Sequence, residues 1–357
     1  MRWSLSIWSS FLGNEDASTL CANLTKLEVN ERLWSLKPLK APGPDGIHAG
    51  FFQAYWQQVG TLMVNEVFKV FQSSTMPLHL NKTLITLIPK HPRAYCLASF
   101  RPISLCNIVY KVVTKIVVKR LRPFLPKLIS PLQTAFVPRR MGLDNMIIAQ
   151  ELIHTMTLKM GKIGFMDIKI DLEKAYDRLK WYFIRDVLEL YRLPPSLIKL
   201  IMSCVSSSSV SILLNGGKLE PFHPSRGIRQ GDPLSPYLFI MCMVVLGFLI
   251  SWRCEENLWD LVQASRGGQV FSHIFFADDL VLFEKAYLRN CISVREILDT
   301  FCELSGKTVN LNKSKVYFSQ NTRPESRKEM CGVLGIHSTP NLGKYLGFSI
   351  KHPRSTS

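Results

Sequence analysis

The chain has 357 residues, of which 44 are Lys or Arg and 27 are Asp or Glu, so its formal net charge is +17 at pH 7. Hydrophobic residues make up 47% of the chain, which excludes a disordered protein. The positive excess favours a polyanionic partner, nucleic acid first and an anionic membrane second. The nine cysteines include no CxxC pair, which argues against a zinc knuckle and is typical of a reducing compartment.

A basic helix is the first patterned element that bears on function. Lys111, Lys115 and Lys119 recur every four residues, and apolar residues occupy much of the remaining surface of the predicted helix. A charge stripe of this kind is usually only a solvated face. Because the net charge is +17, we interpret the stripe as a contact to a nucleic-acid backbone. Four more cations extend this basic surface: Arg120, Arg122, Arg139 and Arg140.

A strand, an aspartate and a helix are predicted in succession around Asp171. Residues 163–170 are β-prone, and the apolar positions after Asp171 follow the three-and-four spacing of an amphipathic helix. These positions are Tyr176, Leu179, Phe183, Val187 and Leu190. Asp171 would then lie at the edge of a sheet, where residues from several elements can meet. Alternatively, Asp171 is only the N-cap of the helix, and Tyr176 is only a core residue.

The longest uncharged, mostly apolar stretch covers residues 237–252. It is shorter than the roughly 20 residues that a membrane span needs, so it predicts a buried core helix. Four serines, Ser4, Ser6, Ser9 and Ser10, interrupt the apolar N-terminal stretch, and secretion is therefore not expected. Strands and helices that are mixed without regular alternation predict an α+β fold.

Two adjacent aspartates form the sharpest feature of the sequence. The apolar runs 272–276 and 280–283 flank Ala277, Asp278 and Asp279, which predicts a hairpin with an acidic tip. Neighbouring carboxylates in an apolar setting either protonate or bind a cation, and oxygen ligands suit Mg²⁺. The simpler alternative is that Asp favours turns. Together with Asp171, the pair could hold two Mg²⁺ ions about 4 Å apart, the arrangement that promotes phosphoryl transfer.

Seven motifs in one order resemble the reverse transcriptase domain of LINE-type (non-LTR) retrotransposons, especially those of plants. Three of them surround the aspartates: residues 169–177 (KIDLEKAYD), 227–236 (GIRQGDPLSP) and 276–279 (FADD). The other four lie upstream: residues 40–46 (KAPGPDG), 87–90 (LIPK), 100–105 (FRPISL) and 133–136 (QTAF). The resemblance extends from about residue 27 to residue 347. Arg139 departs from the pattern, because the family usually has a glycine beside the matched Arg140.

The resemblance implies a right-hand polymerase fold with fingers and palm. Residues 1–35 would be an N-terminal linker remnant, 36–160 a fingers-like region and 161–338 the palm with its catalytic carboxylates. Residues 339–357 would begin the primer grip and thumb. Because no endonuclease precedes residue 1 and little follows the primer grip, we expect a fragment of an element whose thumb is largely missing.

The resemblance also implies a role for each matched residue of the reaction centre. Asp171 and Asp278 would be metal ligands with Asp279 as their acidic neighbour, and the backbone carbonyl of Leu172 would be a further ligand. Tyr176 would lie beneath the incoming sugar and exclude a 2′-hydroxyl. The remaining substrate-binding residues would be Lys90 and Arg101 at the triphosphate, with Gln230 and Gly231 in the nucleotide pocket.

The resemblance places the last nucleic-acid contacts near the C-terminus. Asn310, Lys313 and Ser314 match a loop in which a lysine can donate a proton to pyrophosphate. Tyr345, Leu346 and Gly347 match the start of the primer-grip hairpin. The predicted nucleic-acid-binding set therefore consists of Lys111, Lys115, Lys119, Arg140, Lys313, Tyr345, Leu346 and Gly347.

The leading hypothesis is an RNA-directed DNA polymerase that uses two Mg²⁺ ions to transfer a nucleotide from a dNTP to a primer 3′-hydroxyl. Its partners would be an RNA template, a DNA primer and dNTPs, with no membrane partner, and its location nuclear or cytoplasmic. One alternative is a catalytically inactive retrotransposon-derived fragment that binds nucleic acid. Another is an RNA-dependent RNA polymerase, which Tyr176 opposes.

Overall fold

The computed structural model describes residues 11–159, 161–263, 268–346 and 348–349, and these form a mixture of helices and strands that confirms the predicted α+β class. The helices are α1 Asn14–Leu20, α2 Lys26–Trp34, α3 Ala49–Ala54, α4 Trp56–Ser73, α5 Ile108–Leu121, α6 Leu125–Leu128, α7 Gly142–Leu158, α8 Trp181–Leu190, α9 Pro195–Ser206, α10 Ser235–Glu255, α11 Leu288–Ser305 and α12 Pro324–Leu334. The strands are β1 Lys82–Pro89, β2 Phe100–Cys106, β3 Phe165–Ile170, β4 Ser209–Leu214, β5 Gly217–Lys218, β6 Val262–Gln263, β7 Val270–Phe271, β8 His273–Phe276, β9 Asp279–Lys285, β10 Lys315–Phe318, β11 Lys344–Tyr345 and β12 Phe348–Ser349.

The chain folds into two compact units built from interleaved segments. Unit 1 contains residues 126–175 and the described residues from 239 onward, and unit 2 contains residues 11–125 and 176–238. Each unit combines segments that are far apart in sequence, because distant strands pair: Lys82 in β1, for example, lies opposite Ser209 in β4. The predicted boundaries after residues 35, 160 and 338 stay predictions.

Unit 2 is built on a four-stranded sheet in the order β2-β1-β4-β5. β1 runs antiparallel to β2 and parallel to β4. Helix α5 packs against α2 and α4, and its apolar face is fully buried at Tyr110, Val113, Ile116 and Val117. The predicted basic helix is therefore confirmed as a helix, with its apolar side in the core of unit 2.

Unit 1 is built on a second four-stranded sheet, in the order β10-β3-β9-β8. β3 runs antiparallel to β9 and to β10, and β9 runs antiparallel to β8. Helix α7 covers one face of this sheet, where Leu152 and Ile153 join Val281 and Phe283 in one buried cluster. The predicted strand before Asp171 and the predicted hairpin around Asp278 are both confirmed.

The helix that was predicted to follow Asp171 begins later than expected. Residues 171–180 are non-helical, and the helix starts at Trp181. The backbone of the intervening segment is engaged elsewhere, because the N–H of Glu173 donates to the carbonyl of Thr308 and the carbonyl of Tyr176 accepts from Ile228. Lys174 also has a positive φ of 43°, which an α-helix does not accommodate. Tyr176 is therefore not part of a helical apolar stripe.

Helix α10 is the predicted core helix and is longer than the pattern indicated, since it extends from Ser235 to Glu255. Its length and composition would allow it to cross a membrane, but 67% of its most apolar window is buried inside the protein. Phe239, Ile240 and Met241 have no exposed surface. Burial of this kind is typical of the core helix of a folded domain.

Candidate active site

The acidic tip is a two-residue turn between β8 and β9. Phe276 lies opposite Asp279, so Ala277 and Asp278 form the turn and Asp279 is the first residue of β9. Ala277 has a φ of +53°, the left-handed backbone that two-residue hairpin turns require at their first position. The structure thus confirms the predicted hairpin and places Asp278 at its tip.

Asp171 lies on the neighbouring strand of the same sheet edge. It follows Ile170, which pairs with Leu280, so continuing the register by one residue brings Asp171 opposite Asp279. Residues directly opposite in an antiparallel pair share a face of the sheet, with their Cβ atoms about 5 Å apart. The alternative role of Asp171 as a helix N-cap is wrong, because the next helix is α8 and its N-cap is Lys180.

The three carboxylates repel one another electrostatically. Burial raises the pKa of the Asp171 carboxyl, the charge of Lys313 lowers it, and the charge of Asp278 raises it further. Burial also raises the pKa of the Asp279 carboxyl, the charge of Lys169 lowers it, and the charges of Asp278 and Asp171 raise it. Such repulsion is relieved by protonation or by a bound cation.

The orientation of the Leu172 backbone carbonyl follows from the pairing of this residue with Val309. Leu172 forms an antiparallel bridge with Val309, and the two flanking hydrogen bonds use the carbonyl of Asp171 and the N–H of Glu173. Because successive carbonyls along an extended segment point to opposite sides, the Leu172 carbonyl points away from Val309. That side is where β9 and its aspartates lie, since β3 is between β10 and β9.

The loop that carries Lys313 holds the backbone of Asp171. The N–H of Asp171 donates to Ser314 Oγ over 3.0 Å, and the carbonyl of Asp171 accepts from the N–H of Asn310 over 2.8 Å. Asn310 Oδ1 in turn accepts from the N–H of Lys313. The structure therefore brings the predicted residues Asn310, Lys313 and Ser314 together beside Asp171.

A buried lysine in the same loop was missed by the sequence reasoning. Lys307 is 2% exposed, its ammonium donates to the carbonyl of Ala175, and it lies 4.4 Å from the ring centroid of Phe239. Ala175 ends the non-helical segment that starts at Asp171 within unit 1. Neither spacing nor neighbouring residue types distinguish Lys307 from a surface lysine, so the sequence carries no signal for its burial.

The chemistry of these groups fits a divalent cation with oxygen ligands. Among the described residues, no group of three or more His, Cys, Asp and Glu side chains is arranged to hold a metal ion alone. Mg²⁺ does not need such a cage, because it usually binds one or two carboxylates together with water and substrate phosphates. Asp171, Asp278, Asp279 and the Leu172 carbonyl offer oxygen only, which suits Mg²⁺ better than zinc.

The turn at Gln230 and Gly231 belongs to unit 2. The carbonyl of Gln230 accepts from the N–H of Ser104 over 2.7 Å, and Gly231 has a φ of +100°. A Cβ atom at Gly231 would lie 3.0 Å from the carbonyl oxygen of Ser104. Glycine is required here both by the backbone conformation and by the close approach of β2.

A buried arginine supports this turn and was also missed. The guanidinium of Arg229 donates to Asn81 Oδ1 over 2.8 Å, to Thr83 Oγ1 over 2.9 Å and to the Tyr110 hydroxyl. The Tyr110 hydroxyl in turn donates a hydrogen bond to Asp232 Oδ2 over 2.5 Å. Arg229 and Asp232 thus form a buried ion pair next to Gln230, with 3.5 Å between Nη2 and Oδ2, and the Tyr110 hydroxyl links the two side chains by hydrogen bonds.

The other predicted substrate residues lie in unit 2 as well. Lys90 and Arg101 are both exposed at the end of the β1–β2 pair that the connecting loop joins, where Ile88 pairs with Arg101. The Lys90 ammonium donates to the carbonyl of Ala98 over 2.7 Å. The backbone of Tyr176 is tied to the Gln230 turn through its hydrogen bond with Ile228.

The three lysines predicted to form a basic stripe on α5 are not equally exposed to solvent. Lys119 is exposed, whereas Lys111 and Lys115 are half-buried, and burial lowers the pKa of both ammonium groups. Lys115 donates to the carbonyl of Ser35 over 3.0 Å, and Lys111 lies 3.5 Å from the carbonyl oxygen of Ala41. These contacts fasten α5 to neighbouring segments of unit 2, which a helical charge pattern alone does not show.

Arg140 is committed to backbone contacts within unit 1. Its guanidinium donates to four carbonyls, those of Pro126, Ile129, Ser130 and Gln133. This set of bonds shapes the 126–140 loop, whereas the predicted contact of Arg140 with nucleic acid stays a prediction. Near the C-terminus, Tyr345 is buried, and burial raises the pKa of its hydroxyl, with the charge of Asp279 as a smaller cause in the same direction. Leu346 is half-buried, and Gly347 lies outside the described residues.

Arg139, the position at which the resemblance predicts a glycine, has a φ of +64° and is exposed. The left-handed region costs a residue with a Cβ atom about 1 kcal/mol, and glycine avoids that cost. We therefore expect Arg139→Gly to raise the free energy of unfolding by about 1 kcal/mol. Urea unfolding followed by circular dichroism measures this, and an unchanged or lower value would show that the position is unstrained.

Comparison with known proteins identifies the family. The family model described as reverse transcriptase (RNA-dependent DNA polymerase) matches residues 88–350, more than half of the chain. The Pol polyprotein from the type-2 retrotransposable element R2DM of Drosophila melanogaster is 26% identical over 366 residues, 96% of this chain and 33% of that protein.

Two further relatives have similar identity. The transposon TX1 uncharacterized 149 kDa protein of Xenopus laevis is 27% identical over 82% of this chain and 22% of its own length. A Pol polyprotein from the type-1 element R2 of Nasonia vitripennis is 27% identical over 73% of this chain and 24% of its own length. The chain thus spans between about a fifth and a third of the length of these relatives. It belongs to the reverse transcriptase family, as a domain of the kind found in R2-like and TX1-like non-LTR retrotransposons.

Proposed function

We propose that this domain catalyses RNA-directed DNA synthesis, in which a primer 3′-hydroxyl attacks the α-phosphorus of a dNTP paired to an RNA template. The observation that carries the proposal is the set of three mutually repelling carboxylates at one sheet edge, Asp171 and Asp279 on paired strands and Asp278 at the turn. That arrangement is suited to divalent cations and phosphate chemistry, as family membership leads one to expect.

Asp171, Asp278, Asp279 and the Leu172 carbonyl would hold two Mg²⁺ ions. When bound, these ions would lower the pKa of the primer hydroxyl and stabilise the charge that develops on the leaving pyrophosphate. Lys313 is close enough to Asp171 for its charge to lower the pKa of the Asp171 carboxyl. From this position the Lys313 ammonium could protonate pyrophosphate. Lys90, Arg101, Gln230 and Gly231 would bind the nucleotide.

The finer description follows the same proposal. The chain would adopt a right-hand fold with fingers in residues 36–160 and the palm in residues 161–338. Lys111, Lys115, Lys119 and Arg140 would add to the binding of template and primer. An origin in a plant element and a nuclear or cytoplasmic location also belong to the proposal, the first supported by the motif resemblance and the second by the expected life cycle of such an element.

Primer extension on an RNA template tests the proposal. We expect the purified chain to incorporate dNTPs only when Mg²⁺ is present, and Asp278→Asn to slow incorporation at least about a thousandfold. Asp299→Asn, the same change at an exposed position of α11, is the matched control and should extend like the parent. Equal extension by the parent and Asp278→Asn would show that the site assignment is wrong.

A second outcome would favour the alternative function. If the parent does not extend a primer but binds an RNA–DNA hybrid with a steep dependence on salt, the chain is a nucleic-acid-binding fragment. The net charge of +17 is the observation that favours this alternative. Gel-shift titrations between about 50 and 200 mM salt, run beside the extension assay, distinguish the two functions.

Tyr176 is expected to select the sugar. Replacing it with Ala opens space that a 2′-hydroxyl could occupy, so Tyr176→Ala should raise ribonucleotide incorporation relative to dNTP incorporation by about tenfold or more. Tyr182→Ala, at an exposed position of α8, is the control for removal of a tyrosine ring. An unchanged ratio of kcat/KM values for rNTP and dNTP would exclude Tyr176 as the selecting residue.

A further inference from the structure

The N–H of Ala277 occupies an unusual position in the acidic hairpin. Ala277 is the first residue of the two-residue turn, so its N–H lies outside the ladder of hydrogen bonds between β8 and β9. Its partner is the side chain of Gln133, whose Oε1 accepts this N–H over 3.1 Å. The residue next to Asp278 is therefore held by a side chain from a distant segment of unit 1.

Gln133 is itself fixed in one orientation. Its Oε1 also accepts the N–H of Ala135 over 2.9 Å, and the side chain is 2% exposed. Flipping the amide would point its NH₂ group at two N–H donors, so the orientation is determined by the contacts. Gln133 Nε2 is buried without a hydrogen-bond partner in the described part of the chain. A buried donor is left unpaired so that the oxygen can face the turn.

The backbone of Gln133 is held by contacts with β8 and with Arg140. It forms a parallel bridge with Phe275, whose N–H donates to the carbonyl of Leu132 over 2.8 Å. The carbonyl of Gln133 accepts from the guanidinium of Arg140 over 2.7 Å. Asn145 on α7 adds a hydrogen bond from Nδ2 to the carbonyl of Phe275 over 2.6 Å. The loop around Gln133 is thus a rigid support behind the turn.

We propose that Gln133, held in place by Arg140, is a positioning residue. It fixes the position of the turn that carries Asp278 and thereby determines how tightly the carboxylates bind divalent cations. This inference rests on the proposed function, because it assumes that the carboxylates bind metal. Gln133 would act through the backbone of Ala277 and is not one of the proposed ligands of the ion. A supporting residue of this kind typically changes metal affinity by about tenfold to a hundredfold when it is lost.

The test is a titration of the purified chain with Mn²⁺ alone, followed by electron paramagnetic resonance. Gln133→Met has nearly the same size and lacks the acceptor, so the dissociation constant for Mn²⁺ should rise at least about tenfold. Gln133→Glu keeps an acceptor oxygen for both N–H groups and should stay much closer to the parent. Gln320→Met, at an exposed position of unit 1, is the matched control and should bind like the parent.

Hydrogen exchange of the peptide 275–281 checks that the effect is local. Gln133→Met should speed exchange at this turn, while peptides from α11 keep their protection and show that the fold is intact. Parental Mn²⁺ affinity in Gln133→Met, or loss of affinity with unchanged exchange at the turn, would overturn the inference. A parent that binds no Mn²⁺ would overturn it too and leave the proposed function to the primer-extension assay. If Gln133→Met loses affinity and the parent extends no primer, the inference stands and the proposed polymerase function fails.

Discussion

Replacing Asp171 with Asn is expected to reduce primer extension at least about a thousandfold, because the variant loses a charged oxygen ligand at the sheet edge where Asp278 and Asp279 lie. The same change should make the metal-free protein more stable. Burial and the charge of Asp278 both disfavour an ionised Asp171, and Asn keeps the shape of the side chain without the charge. We therefore expect activity and metal-free stability to change in opposite directions.

The melting temperature with and without Mg²⁺ measures the second effect. Mg²⁺ should raise the melting temperature of the parent by binding the folded state, and it should raise that of Asp171→Asn much less. Asp167→Asn is the matched control on the same strand, because Asp167 is 1% exposed and burial raises its pKa well above the usual range. Asn has the same shape as this buried carboxyl, whose charged form burial disfavours, so extension should persist. Near-parental extension by Asp171→Asn would contradict its role as a ligand.

Replacing Arg229 with Met is expected to destabilise the protein by about 3–5 kcal/mol. Arg229 and Asp232 are buried together, with 9% and 3% of their side chains exposed. Removal of the guanidinium leaves the Asp232 carboxylate buried without its counter-charge, and it also removes donors from Asn81 and Thr83. The Gln230 turn follows Arg229 directly, so nucleotide binding should weaken together with stability.

A double-mutant cycle separates the ion pair from the rest of the network. Arg229→Met combined with Asp232→Leu removes both charges. The double variant should therefore lose less free energy of unfolding than the sum of the losses in the two single variants. Arg295→Met is the control, because Arg295 pairs with Asp299 at the surface, with 42% and 60% exposed. Its cost should be at most about 1 kcal/mol. Urea unfolding gives all four values, and equal costs for Arg229→Met and Arg295→Met would contradict the buried network.

The carboxylate edge could be predicted from the sequence because its signals are local. An apolar run that ends at Asp171 and two apolar runs around Asp278 define a strand and a hairpin by periodicity alone. The linked motifs then indicated the family, which the match over residues 88–350 confirms. What these patterns could not give is the pairing of Ile170 with Leu280, which brings the two segments together.

The supporting residues could not be predicted, because their partners are distant in sequence. Gln133 faces Ala277, Lys307 faces Ala175, and Arg229 faces Asn81, and no spacing rule links such pairs. The late start of α8 has the same origin, since long-range hydrogen bonds to Thr308 and Ile228 override the helical pattern after Asp171. Tertiary contacts also leave fewer ammonium groups of α5 available to nucleic acid than the charge pattern predicts, because Lys115 donates to the carbonyl of Ser35.

The most direct measurement is anomalous diffraction from crystals of the chain soaked in Mn²⁺, which scatters anomalously and substitutes for Mg²⁺ at oxygen sites. We expect an anomalous peak within coordination distance of the carboxylates of Asp171 and Asp278, and no such peak in crystals of Asp171→Asn. A strong peak elsewhere in the protein, with none beside these two aspartates, would contradict the proposed metal site.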